Sequence, residues 1–343
     1  MQNPMQRRDF LKWASLFSAS AALPNLLAAC NTQPSDQTNA GGNAADTKPL
    51  TVGVQPWAGF LGQYIALDRN FFSAEGVTVK EEYFQVATDT NTALAAGRVD
   101  LAWVGIPDLM TLVAQNPSLK ILMVSDYSNG ADGILGRNLS RASDLRGKKV
   151  AREDAPYAKI FLGSYLKQAG LSEKDVEVVS LSASDAATAF AAGQVDAATT
   201  YEPWLSKIVQ EGKGQIIFTS KDTNIIPNGL AASAEVIASR RDDIVKYLRA
   251  IDRALAFSRT NASEANEICA KKLGVTAAEI PPQLAGIRVF DVKGNQDGPM
   301  NLDSPYSLVR SLQSGEQIIT SLGLTSKPID AAQLVDDSLV KSL

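Results

Sequence analysis

The 343-residue chain is 45% hydrophobic and 20% charged, carries a formal charge of −4, and contains two cysteines and no histidine. That length and apolar content suffice to bury one large or two medium domains. The acidic balance argues against a nucleic-acid partner, and the missing histidine removes the commonest general base and metal ligand.

The chain opens with a basic RRDFLK from Arg7 and a moderately apolar run over residues 13–27, followed by Leu27-Ala28-Ala29-Cys30. This resembles a twin-arginine export signal ending in a bacterial lipobox. Gln6 stands where that pattern carries Ser or Thr, so the residues argue for export more than for one export route. Ser15, Ser18, Ser20, Pro24 and Asn25 leave the run too polar and too short to span a bilayer. Residues 1–29 are thus expected to be a signal peptide, with Cys30 the lipidated first residue of an exported, membrane-anchored protein. Residues 30–48 hold no aromatic or β-branched aliphatic side chain and read as a tether, unable to bury enough apolar area to fold. Cys269 is then left alone on a helical stretch, where a core-filling role is expected.

Leu50–Val54 is a β-branched run that ends at the loop Gln55-Pro56-Trp57. Phe60, Leu61, Tyr64, Ile65, Leu67 and Phe71 have the spacing of a helix with one buried face. A strand is expected at 76–79 and a helix at 92–96, with Asp89-Thr90-Asn91 as its caps and Gly97 closing it. Strands at 99–104 and 121–124, with a helix from Pro107 between them, complete a β-α-β-α order and predict a mostly parallel sheet covered by helices. The scheme recurs as strands at 149–151, 176–179 and 195–199 with helices at 157–169 and 186–192. Residues 228–231 look like a return crossing. One long amphipathic helix follows at 237–260, and the remainder reads as helical apart from 290–295 and is expected to pack on the first lobe.

The recurrence is visible in the residues themselves. NTALAAGRVDLAWVGIPD from Asn91 aligns without gaps with ATAFAAGQVDAATTYEPW from Ala187, 96 positions later. LTVGV falls on RGKKV at the same offset, with Val54 over Val150. A period this long implies two similar lobes with a cleft between them, not a solenoid. Gly97 and Gly193 are expected as left-handed helix caps, and Asp100 and Asp196 as acceptors for loop amides. Ligands of open α/β sheets gather at the carboxyl ends of strands. Here those ends read Gln55-Pro56-Trp57, residues 103–107, residues 152–157 and residues 200–204, each with a proline close to an aromatic, as walls of one pocket would have.

The series LTVGVQPW, AAGRVDLAWVGIPD, DYSNGADGIL, DLRGKKVA and AAGQVDAATTYEPW resembles bacterial substrate-binding lipoproteins of the nitrate, taurine and aliphatic-sulfonate type, the NMT1/THI5-like family that serves ABC importers. The resemblance implies an α/β, two-lobed, periplasmic-binding-protein-like (type II) fold. Residues 49–131 and 229–343 would form lobe I and residues 132–228 lobe II. It further implies a monomer, without cofactor or catalytic residues, that captures a small-molecule solute by hinge closure and passes it to ABC permease and ATPase subunits. The ligand contacts it implies are Gln55, Trp57, Phe60, Gly105, Ile106, Ser128, Asn129, Asp154, Tyr157, Tyr201 and Glu202; residue chemistry adds Asp89 and Asp132.

An anion calls for amide donors, hydroxyls or an arginine fork. The inferred tips offer Arg152 but are otherwise rich in Asp89, Asp132, Asp154, Glu202 and the rings of Trp57, Trp103, Tyr157, Tyr201 and Trp204. Carboxylates and aromatic faces suit a compact cation, so a guanidine-like or amine-bearing solute is the preferred expectation. The alternative stays open that Asp132 and Glu202 pair with Arg152, Arg137 or backbone amides, leaving an anion such as taurine, an aliphatic sulfonate or nitrate. A lipoprotein serving a sensor is a third reading. The fold is also used by a pyrimidine-forming enzyme of thiamine synthesis, whose His and Cys clusters this chain lacks. Gly147-Lys148-Lys149 lacks the upstream glycine of a phosphate loop, and residues 291–303 depart from calcium-loop spacing and read as a solvated loop.

Overall fold

The computed structural model describes residues 48–113, 116–221, 223–325 and 328–343. The export signal, Cys30 and nearly all of the tether lie outside the described residues. Among the described residues eleven strands form two sheets: β1 (Leu50–Val54), β2 (Val79–Tyr83), β3 (Leu101–Gly105), β4 (Leu119–Ser128), β5 (Asp132–Gly136), β6 (Lys149–Arg152), β7 (Glu177–Ser180), β8 (Ala197–Tyr201), β9 (Gln215–Thr219), β10 (Pro227–Ser233) and β11 (Ile287–Val289). The first sheet has the order β11-β4-β10-β3-β1-β2 and the second β7-β6-β8-β5-β9. β1 runs parallel to β2 and β3, as β6 does to β7 and β8. β10 is antiparallel to both β3 and β4, and β5 to both β8 and β9. Helices flank each sheet, giving the two-lobed α/β architecture.

The internal repeat has a physical basis. Asp100 Oδ2 accepts the Thr51 amide at 2.8 Å and the Thr51 hydroxyl at 2.7 Å, and Asp196 Oδ2 accepts the Lys149 amide at 2.9 Å. Each carboxylate ties the start of its lobe's first strand to the strand that follows the repeated helix. Gly97 and Gly193, at φ +65° and +75°, end those helices in the left-handed region that glycine enters without cost. The first strands are displaced from the sequence alignment: Gly53 pairs with Ala102 and Ala151 with Ala198, so Val54 answers to Arg152 and not to Val150.

Other elements depart from expectation: β5, β9 and β11 were not foreseen as strands, and their antiparallel pairings, with those of β10, make both sheets mixed and not mostly parallel. The Ala87–Ala95 helix takes in Asp89, Thr90 and Asn91, which are therefore helical residues and not caps. The long helix splits into Ala234–Ser239 and Arg241–Thr260 at Arg240, whose backbone is non-helical at φ −125° and ψ 25° and whose guanidinium bonds Asp243 and the Lys48 carbonyl, each at 2.8 Å. Residues 290–295 are not a break: Asp291 caps a helix, Val292–Asp297, by accepting the Gly294 amide at 2.7 Å.

The Leu61–Asp68 helix packs on the C-terminal helices Arg241–Thr260 and Ala262–Leu273. The Tyr247 hydroxyl joins the Trp103 indole at 2.8 Å to Gln63 Oε1 at 2.6 Å inside this core. Cys269 is fully buried there, and burial pushes its thiol up to about 12, as suits a packing residue. Among the described residues no helix is long and apolar enough to cross a membrane.

Candidate functional site

The strand ends of the two sheets meet around a cavity of about 40 Å³. From the first sheet's side come Gln55, Pro56 and Trp57 after β1, Gly105 at the end of β3, Asp108, Gln85, Ala87 and Asn228; from the second come Asp132 at the start of β5, Tyr157 and Tyr201 at the end of β8. The walls touch each other. The Tyr157 amide, in the first turn of the Pro156–Lys167 helix, donates to Asp108 Oδ1 at 2.8 Å. Trp57 meets Tyr201 edge to face at 5.8 Å between ring centroids. Both contacts bridge the two sides of the cavity.

Three aspartates stand in or behind this cavity, and none forms a salt bridge among the described residues. Asp108 is 1% exposed, and its Oδ2 accepts Asn91 Nδ2 at 3.0 Å. Burial drives its carboxyl up to about 7 against the pull of these hydrogen bonds. Asp126, fully buried, accepts the Trp57 indole at 3.0 and 3.1 Å, Asn228 Nδ2 at 2.9 Å and the Ser125 hydroxyl at 2.7 Å, and burial lifts it to about 6. It fixes the ring of Trp57 from behind. Asp132, 3% exposed, is lifted by burial to about 7, with Asp126 and Glu202 adding repulsion. Its Oδ2 has no hydrogen-bond partner.

Of the residues expected from sequence, Gln55, Trp57, Gly105, Asp132, Tyr157 and Tyr201 come together on the cavity wall. Phe60 is buried instead against Trp103 at 5.6 Å, and Ile106 lies in the apolar core beneath the site. Asp89 is exposed on its helix, because the caps it was assigned to are helical turns. Asp154 is exposed and paired with Lys159 at 2.7 Å. Glu202 lines a wider adjoining cavity of about 630 Å³, together with Lys271 and Lys272. Both its carboxylate oxygens cap the next helix at Ser206, at 3.1 Å to the amide and 2.6 Å to the hydroxyl.

Ser128 and Asn129 belong to the first crossing between sheets. The Ser128 hydroxyl meets that of Ser220, on the second crossing, at 2.6 Å, and Ser220 Oγ also accepts the Gly130 amide at 2.8 Å. The Gly286 carbonyl takes the amides of Asn129 at 2.8 Å and Ala131 at 3.0 Å. Arg152 does not reach the cavity: its guanidinium forks onto Glu173 at 2.8 Å through Nε and 2.8 Å through Nη2. Arg137 spends itself on the Phe190 carbonyl at 2.6 Å. Among the described residues no lysine or arginine lines the smaller cavity.

Asp108, Gln85 and Asn228 were missed as site residues. Asp108 directly follows the proline of a strand tip already singled out, so the pattern contained it. Asn228 reaches the site only because β10 sets it opposite Gly105, which no local pattern reveals.

A family model described as NMT1/THI5 like matches residues 57–265. The putative aliphatic sulfonates-binding protein of Bacillus subtilis is 26% identical over 326 residues, covering 92% of each chain. The crystal structure of the periplasmic aliphatic sulphonate binding protein SsuA from Escherichia coli superposes with a TM-score of 0.71 at 22% identity, over 85% of this chain and 92% of that one. The desulfurization enzyme DSZB superposes with a TM-score of 0.61 at 16% identity, over 85% of this chain and 98% of that one, so the architecture is not confined to binding proteins.

Proposed function

Because the chain belongs to the NMT1/THI5-like family, we propose that it is the solute-binding component of an ABC-type importer, closing two lobes on one small solute and delivering it to a permease and its ATPase. The bond from the Tyr157 amide to Asp108 across the cleft carries this reading, since a cleft with its own interlobe latch and a polar, aromatic-walled cavity behind it is built to shut on a ligand. Small-angle scattering with and without solute tests it. A solute-dependent compaction supports a closing binder, and turnover of a bound solute would count against it.

Of the ligand classes open at the sequence level, the anion is better backed by the comparisons, whose named relatives bind aliphatic sulfonates. The guanidine-like cation keeps one observation in its favour: the cavity holds Asp108 and Asp132 and no basic side chain. The two readings differ in sign with pH. An anion can sit beside these carboxyls only when they are protonated, so its affinity would fall as pH rises through about 7, where both titrate. A cation needs them ionised, and its affinity would rise over the same interval. Calorimetric titration of ethanesulfonate, nitrate and guanidinium at pH 6 and pH 8 separates the classes.

We also propose export with lipid attachment at Cys30, on the strength of the Leu27-Ala28-Ala29-Cys30 box. Replacing Cys30 with Ser should move the protein from the membrane to the soluble fraction and abolish labelling by radioactive palmitate; unchanged labelling would refute it. A role as a sensor's ligand receptor would appear as solute-dependent kinase output without loss of uptake on deletion.

A further inference from the structure

We infer that the cavity reads a protonated nitrogen of the solute, an ammonium, amidinium or guanidinium group, through Asp132 of the second lobe and Gln55 of the first. The inference rests on the reading of the cleft as the solute site and adds what the site demands of its ligand.

The three buried aspartates are not equivalent. Asp108 is supplied from its own chain, by Asn91 and the Tyr157 amide. Asp126 likewise has Trp57, Asn228 and Ser125. Both act as framework, holding the latch and the indole. Asp132 alone of the three keeps a buried oxygen, Oδ2, with no donor, on a side chain 3% exposed in the cavity wall. Across the cleft Gln55 Oε1 is in the same condition. A buried acceptor without a donor is left unsatisfied at a cost, and here one such acceptor stands on a cavity-lining residue from each side of the cleft. Two acceptors, one of them a carboxylate, call for a ligand group with more than one N–H. The rings of Trp57, Tyr157 and Tyr201 around them give a cation its π faces.

Asp132 is also rooted in the crossing between the sheets, its amide donating to Ser128 Oγ at 3.2 Å. A charge bound there bears directly on the segment that must flex for closure. The nitrogen could belong to a free cation or to the amine end of a sulfonate. The chemistry at Asp132 is the same in both cases.

Two matched pairs test this calorimetrically: taurine against ethanesulfonate, which lacks the amine, and guanidinium against urea, its neutral planar counterpart. The expected result is that at least one nitrogen cation binds about tenfold or more tightly than its partner. Asp132→Asn, whose fold is checked by circular dichroism, should collapse that ratio towards one, and Gln55→Ala should reduce it. A preference in the taurine pair assigns the nitrogen to a sulfonate, and one in the guanidinium pair to a free cation. Equal affinities within both pairs, or a ratio that survives Asp132→Asn, overturn the inference while leaving the protein a solute binder. Absence of both heat and scattering change with all four probes overturns the inference and counts against the binder reading as well.

Discussion

Asp108 and Asp132 carry carboxyls lifted from 3.8 to about 7 by burial. A carboxyl that holds its proton more tightly when folded contributes stability at acid pH that is lost as pH rises through its folded value. The ligand-free protein should therefore lose stability between about pH 4 and pH 7, opposite to the trend of a protein rich in salt-bridged carboxylates. Asp132→Asn should remove part of that loss, raising Tm at pH 8 by roughly 4 °C with little change at pH 5, as calorimetric scans at the two pH values would reveal. Gly59 gives a second residue-scale prediction. A Cβ there would lie 2.1 Å from Asp126 Oδ2 and 2.4 Å from the Trp57 indole nitrogen. Gly59→Ala should displace the indole, weaken solute binding about tenfold and shift tryptophan fluorescence. Trp57, Tyr157 and Tyr201 were legible in the sequence because strand ends carry their own markers, proline and aromatic. Asp126 was not, because its work is done behind a ring that folding brings to it from 69 residues away.

At the level of elements, the repeat was legible because the same carboxylate-to-amide tie and the same glycine cap recur in both lobes. The two-residue displacement of the first strands was not, since a strand's register is fixed by its neighbour and not by its own residues. Nor was the break at Arg240, where apolar periodicity continues although the backbone leaves helical geometry. β10 is the most demanding strand, enclosed between β3 and β4. At Gly229 a Cβ would come within 2.4 Å of the Met123 carbonyl oxygen, a backbone atom with no room to retreat. Gly229→Ala should destabilise the fold by about 2 kcal/mol, read as a lowered urea midpoint at unchanged slope.

For the molecule as a whole, the proposed cycle of closing and opening requires Asp108 to release the Tyr157 amide and Trp57 to part from Tyr201. Asp108→Ala should shift the ligand-free protein towards the open form, measured as a larger radius of gyration than that of the unsubstituted chain. In that cycle the bending segments are residues 128–132, braced by the Gly286 carbonyl, and residues 223–227, which follow the Ser220 hydroxyl that meets Ser128 and Gly130. That brace was invisible in the sequence, because it joins a crossing to a glycine more than 150 residues downstream.

The placement of β10 also governs the order in which this protein can be made. Its partners β3 and β4 end at Gly105 and Ser128, yet β10 begins at Pro227, after every strand of the second sheet has been synthesised. A nascent chain emerging from the ribosome therefore carries two strands with unpaired edges through some hundred residues of further translation, edges that invite pairing with other chains. The second lobe has all five of its strands before β10 appears. Chains stalled before residue 227 should resist protease over the second lobe while the first is digested, so the lobe that begins the polypeptide is the one that folds last.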